Sequence, residues 1–217
     1  MGFGLGLLFA LPILLYSAIL HEIAHGLMAD RLGDPTARLS GRLTLNPIKH
    51  IDPFMTILLP VLLIISGSHI IFGGAKPVPI DPYNLKEGKK DIALVALAGP
   101  LTNVLLAITA ALLYHGLQFL PLTGIITMLV SLFLQVTITI NLYLAIFNLL
   151  PIPPLDGSKV FAMLLPNDLA NSYLSIGSIG VLILFLLLSF PIGGFYLPAF
   201  MQHLFLLLSS FLGVPFT

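Results

Sequence analysis

Two histidines and a glutamate interrupt a long apolar run, in the order Ile19-Leu20-His21-Glu22-Ile23-Ala24-His25. If that run is helical, His21 and His25 project from one face on successive turns. Such a pair can reach a single tetrahedral zinc. Glu22 then points about 100° around the helix, where it can reach a metal-bound water without ligating the metal, as a general base must. The plainer reading is chance: in a soluble helix the same five residues are commonly surface decoration. Here the pattern lies in a stretch apolar enough to sit in a bilayer, where an unused carboxylate costs several kcal/mol or protonates. Membrane depth therefore favours the metal reading.

A catalytic zinc held by two histidines needs a third protein ligand and keeps a fourth position for water. Asp156 is the leading candidate. It is the only acidic residue between Asp91 and Asp168, and it follows Pro151, Pro153 and Pro154, which must break any helix arriving there. His50, Asp52 and Asp81 are weaker rivals in polar connections. His69, His115 and His203 are isolated and read as packed or interfacial. The absence of cysteine excludes thiolate ligands and disulfides.

The elements that must position these groups belong to a membrane protein. Of 217 residues, 58% are hydrophobic and only 8% charged, against about 25% charged in a soluble domain. Nine basic residues balance nine acidic ones, which gives no electrostatic case for nucleic acid. The fold class expected is an all-α polytopic membrane protein with about five to six transmembrane helices, one of them broken. A short β-hairpin and an extended re-entrant segment are expected beside them. The whole of 1–217 reads as a single membrane-embedded unit, with a core over about 3–165 and accessory helices over about 172–213.

In chain order, residues 3–29 form the first span, with Pro12 as a kink site. Residues 36–45 alternate around Ser40-Gly41 and read as a hairpin. The apolar stretch 54–72 is interrupted by Pro60 and Gly67. Residues 72–82 are rich in proline and glycine and read as extended chain, which is tolerated at membrane depth only when buried in protein or lining a cavity. Such an edge can accept a substrate strand through its main chain. Spans follow at 91–117 and 124–150, with helix resuming over 158–165, and two last spans lie at 173–190 and 195–212. Asn103, Gln135, Asn141 and Asn148 are polar positions inside spans, suited to hydrogen bonding across helices. If His21, His25 and Asp156 meet, their spans run parallel, so 54–72 should dip into the membrane and return. Arg31, Arg38, Arg42 and Lys49 precede that stretch, and Lys76, Lys86, Lys89 and Lys90 follow it. Both clusters are expected on the cytoplasmic side, with the site nearer that face.

Together, His21-Glu22-Ile23-Ala24-His25, the run Gly73-Gly74-Ala75-Lys76-Pro77-Val78-Pro79, Gly99-Pro100 with Asn103, and Asn148 through Leu155-Asp156-Gly157 resemble the site-2 protease family of intramembrane zinc metalloproteases. The resemblance covers roughly residues 15–165. It implies one Zn2+ per chain ligated by His21, His25 and Asp156, with Glu22 activating water and Asn148 near the reacting carbonyl. It implies that Gly74, Lys76, Pro77, Val78, Pro79 and Asn103 contact substrate, the segment 73–79 acting as a clamp. The implied partners are a transmembrane protein or peptide substrate and the lipid bilayer, in regulated intramembrane proteolysis at a prokaryotic cell membrane. No stretch is polar and long enough for the PDZ-like or CBS-like domains of larger relatives. A transporter with broken helices would use similar features, but it would be expected to carry an internal repeat, and neither metal motif has a second copy. A non-catalytic membrane chaperone would have no evident reason to keep Glu22 and Asp156 together.

Overall fold

The computed structural model describes residues 2–53, 58, 75–120 and 124–215. Three helices in it are long and apolar enough to cross a membrane: α1 (Gly2–Leu32), then α3 (Lys89–Leu117) and α4 (Ile125–Asn148). Between α1 and α3 lies a one-turn helix, α2 (Thr36–Leu39). After α4 come α5 (Asp156–Met163), α6 (Asn167–Leu174), α7 (Gly177–Ser189) and α8 (Leu197–Phe211). No sheet forms among the described residues, where a single isolated bridge joins Ile192 and Phe195.

α3 is the central element and packs against α1, α4 and α5. Its inward positions are small: Ala96, Ala107, Ala110 and Ala111 are all buried. Small residues let helix backbones approach closely where lipid removes any hydrophobic drive for association. The outward positions are large and apolar, with Leu101, Leu105 and Leu112 on α3 and Leu8 and Leu11 on α1 exposed. Ser17, His21, His25, Asn103, Asn141 and Asp156 are buried instead. Apolar outside and polar inside is the pattern of a bundle solvated by hydrocarbon. α8 completes the core by inserting Leu197, Met201 and Phe205 beside Leu134, Ile138 and Leu142 of α4.

Among the described residues the expected five to six spans are corrected to three, or four if α6 and α7 count as one span bent by 68°. Apolar length overstated helix length. Gly177 breaks the first of the two final stretches (φ +40°), and Gly193 and Gly194 (φ +57° and +83°) reverse the chain between them. What remains is 13 residues in α7 and 15 in α8, so α8 reaches about 22 Å against a core of about 30 Å. The stretch 54–72 falls almost wholly outside the described residues.

The expected hairpin at 36–45 is also corrected. The Asp34 carboxylate accepts the Thr36 amide at 3.1 Å and the Thr36 hydroxyl, starting α2. Gly41 (φ +62°) ends it: its N–H reaches Arg38 O at 3.0 Å, and Arg42 N–H reaches Ala37 O at 3.0 Å. That pair of bonds is a Schellman C-cap. The Ser-Gly pair is a helix stop.

Residues 75–80 carry neither helix nor strand. This strap is fastened by groups from elsewhere. Lys76 N–H donates to His50 O at 2.8 Å, and Arg42 Nη2 donates to Lys76 O at 2.8 Å and Pro77 O at 3.3 Å. Asp34 Oδ2 accepts the Asp81 amide at 2.8 Å, and Asn84 Nδ2 donates to Asp34 Oδ1 at 3.0 Å.

Candidate metal centre

α1 presents His21 and His25 from successive turns, with ring centroids 4.6 Å apart and planes at 86°. α5 brings Asp156 to them as its first residue, because the prolines before it end α4 and re-aim the chain. Asp156 Oδ2 lies 3.2 Å from His21 Nε2 and 3.1 Å from His25 Nε2. All three side chains are buried.

Each imidazole is oriented from behind. His25 Nδ1–H donates to the Val95 carbonyl at 2.7 Å, and His21 Nδ1–H donates to Asn103 Oδ1 at 2.6 Å. With both protons on Nδ1, both Nε2 atoms present lone pairs, and they face a carboxylate oxygen. Three acceptors converging in a buried space repel one another unless a cation, a proton or a metal ion, sits among them. Their spacing suits a metal: ligand atoms around a tetrahedral zinc with bonds of about 2.0–2.2 Å lie roughly 3.3–3.5 Å apart. Lys159 Nζ donates to the other oxygen, Asp156 Oδ1, at 3.0 Å.

Gly99 supplies the space. A Cβ there would stand 2.5 Å from the Nε2 atoms of both His21 and His25. The glycine keeps the cradle open on the α3 side. Two histidines, one carboxylate and a vacated wall fit a zinc ion, and His21, His25 and Asp156 are the residues that would hold it.

Glu22 stands outside this trio and is half-buried. Its Oε2 accepts the backbone N–H of Val78 at 2.8 Å, so the strap crosses the glutamate directly. Val78 is buried against α1, its Cγ1 lying 3.0 Å from where a Cβ on Gly26 would be. Lys76 and Pro77 enter through backbone atoms bound to Arg42 and His50, and Pro79 continues the strap toward Asp81. Gly74 lies outside the described residues. Asn103 stands behind His21 and is fully buried. Asn148 donates from Nδ2 to Leu144 O at 2.9 Å, one turn back in its own helix. Of the rival ligands, His50 bonds Thr44 O at 2.8 Å and Asp81 caps a 3-10 turn (Pro82–Asn84). His115 bonds Leu212 O at 2.7 Å, in keeping with a packing role.

Sequence reasoning missed Gly99 as a wall of the cradle, Lys159 as a partner of Asp156, and Arg42 and Asp34 as the strap's fasteners. Lys159 had a signal: it lies three residues after Asp156, one turn along a resumed helix. The others depend on long-range packing.

A buried two-histidine, one-carboxylate cluster among apolar helices, with a glutamate beside it, is the donor set that a hydrolase-type metal centre requires. Residues 112–189, which carry Asp156, match the family model for peptidase family M50. The chain is 37% identical over 191 residues to YwhC of Bacillus subtilis, which is provisionally named a zinc metalloprotease; this covers 85% of the chain and 81% of that protein. Rip2 of Mycolicibacterium smegmatis and Rip2 of Mycobacterium tuberculosis, named in the same provisional terms, are 36% and 35% identical over 155 and 145 residues. Those matches cover 66% of the chain and 52% of each relative, so the chain spans about half their length. No solved structure matches. The chain belongs to peptidase family M50, the site-2 proteases, and is a metalloprotease-family integral membrane protein.

Proposed function

We propose that this protein is a zinc-dependent endopeptidase that hydrolyses peptide bonds within or beside transmembrane segments of other membrane proteins. The observation that carries the reading is the convergence of three buried acceptor atoms, from His21, His25 and Asp156, next to a glutamate that does not join them. When bound, zinc would supply Lewis acidity, lowering the pKa of water to about 7 and polarising the scissile carbonyl.

The chain's own residues do the rest. Glu22 accepts the proton of the attacking water and delivers it to the departing amine. The Val78 amide holds one Glu22 oxygen, leaving the other for that proton. Asn148 is proposed to steady the developing oxyanion: its Nδ2 carries two hydrogens, of which Leu144 O takes one. The strap, with Lys76, Pro77, Val78 and Pro79 and continuing from Gly74, is proposed to hold the unwound substrate beside Glu22. Basic residues at both ends of 54–72 support a site facing the cytoplasmic side of a prokaryotic cell membrane.

The test pairs metal content with cleavage of a transmembrane peptide by detergent-purified protein. Wild type is expected to hold about one zinc per chain and to cleave in a zinc-dependent manner. Asp156→Ala should lose both. Zinc-free, well-folded wild type, or full zinc in Asp156→Ala, would overturn the assignment.

A further inference from the structure

We infer that the backbone carbonyl of Thr137 on α4, acting through Asn141 and Asn103, decides which nitrogen of His21 carries the proton, and so leaves the Nε2 lone pair for the metal position. This makes Asn141 a positioning residue two hydrogen bonds removed from His21, and the inference rests on the metal reading above.

The argument follows the polarity of one buried chain of hydrogen bonds. A peptide carbonyl only accepts, so the Asn141 group lying 2.9 Å from Thr137 O must be its NH2. The same Nδ2 lies 3.0 Å from Ser17 Oγ on α1. The Asn141 carbonyl oxygen is thereby turned toward Asn103, and it accepts from Asn103 Nδ2 at 2.9 Å. A reversed Asn103 amide would set two acceptor oxygens face to face. Asn103 Oδ1 is left pointing at His21 Nδ1, 2.6 Å away, and an acceptor there requires the proton on Nδ1. Nε2 then carries the lone pair toward Asp156.

No other group can easily reset this sequence. Asn103 and Asn141 are 0% exposed and Ser17 is 5% exposed, so water cannot replace a misdirected amide. After a first link within α4, the chain passes from α4 to α3 and from α3 to α1. His25 receives the same instruction in one step from the Val95 carbonyl. The two ligands are thus set by two backbone carbonyls, one directly and one by relay. Asn103 accordingly acts behind the metal site, in place of the substrate contact implied by resemblance.

The experiment measures zinc affinity of the detergent-solubilised full chain by competition with a chromophoric chelator, with helicity and gel filtration as checks on folding. Asn141→Leu removes the acceptor that orients Asn103, and zinc should bind about 10- to 100-fold more weakly, the usual effect of losing an outer partner of a ligand histidine. Asn103→Asp faces the His21 Nδ1–H, which favours the ionised, acceptor-only carboxylate, whereas an aspartate at 141 faces the Thr137 carbonyl, which favours a proton; the aspartate at 103 therefore needs no orienting neighbour. The double variant Asn103→Asp/Asn141→Leu should therefore return to within about threefold of wild type. Asn141→Asp, protonated in this buried position, donates to Thr137 O and accepts from Asn103, so it should bind zinc nearly as wild type does. It decides the matter if Asn141→Leu fails to fold.

Wild-type affinity in Asn141→Leu would overturn the relay. So would a double variant no better than Asn141→Leu, or an Asn141→Asp as weak as the leucine variant, since each would indicate packing alone. Wild type that binds no zinc would overturn the metal reading itself, a separate and visible result.

Discussion

Glu22 is held differently from the two histidines that flank it. They are fixed from behind through Nδ1, whereas one oxygen of Glu22 is taken by the Val78 amide. Glu22→Gln keeps an oxygen for Val78 and removes only the proton acceptor. It should retain zinc and fold while cleavage falls by about 10²–10⁴; cleavage at the wild-type rate would reassign the base. At Gly99 the expected change is reversed. Gly99→Ala drives a methyl against both Nε2 atoms, so zinc content should drop with little loss of helicity, as metal analysis beside circular dichroism would reveal. Asp34 gives a pH signature outside the spans. Burial pushes its carboxyl up, but the hydrogen bonds from Thr36, Asn84 and the Asp81 amide outweigh that and hold it below the ordinary carboxylate range. A carboxyl lowered on folding stabilises the native state above its unfolded pKa of about 3.9 and loses that contribution as pH falls through the folded value. Thermal stability should therefore decline on acidification below about pH 4, and less steeply in Asp34→Asn. The meeting of His21, His25 and Asp156 was legible because residue type and spacing mark them as possible ligands of one ion. Gly99 was not, because its contribution is an atom it lacks, at a place only the packing of α3 on α1 defines.

At the scale of elements, the strap and the helix stop at Gly41 belong together. The Schellman cap places Arg42, whose guanidinium grips the Lys76 and Pro77 carbonyls and so sets the strap against Glu22. Arg42 is buried, and Arg42→Ala leaves two strap carbonyls without that donor. We expect the Val78 amide to exchange with solvent deuterium at least about tenfold faster in this variant. Unchanged exchange would mean that His50 and Asp34 suffice. The hairpin expectation failed at this scale for a physical reason. Ser-Gly serves a hairpin turn and a helix C-cap equally well, and the choice is made by Asp34, whose side chain starts a helix at Thr36. Span counting failed similarly, because apolar composition reports what a segment can face, while Gly177 and the Gly193-Gly194 pair set how long its helices run. α1, α3 and α4 were legible as long apolar segments ended by polar or proline-rich chain.

Across the whole molecule, the candidate metal site joins α1 to α5 while α3 stands between them and α4 supports α3 from behind. An ion held by ligands from two separate elements binds the folded bundle and not the separated helices, so loading and assembly are linked. At free zinc about 100-fold above the dissociation constant, the linkage is worth about 2.7 kcal/mol. Chelation should then lower the unfolding temperature by something on the order of 5–10 °C. Asp156→Ala should show no such response, as paired thermal scans with and without chelator would establish. The same arrangement bears on how the protein is made. His21 and Asp156 are 135 residues apart in sequence, and translation adds about 5–20 residues per second. About 7 to 27 seconds therefore separate the synthesis of the HExxH helix from that of Asp156. On the proposed function, a nascent chain that already carries Glu22 still lacks its third ligand, so the newborn protease would stay harmless to its neighbours until most of its own chain has been made.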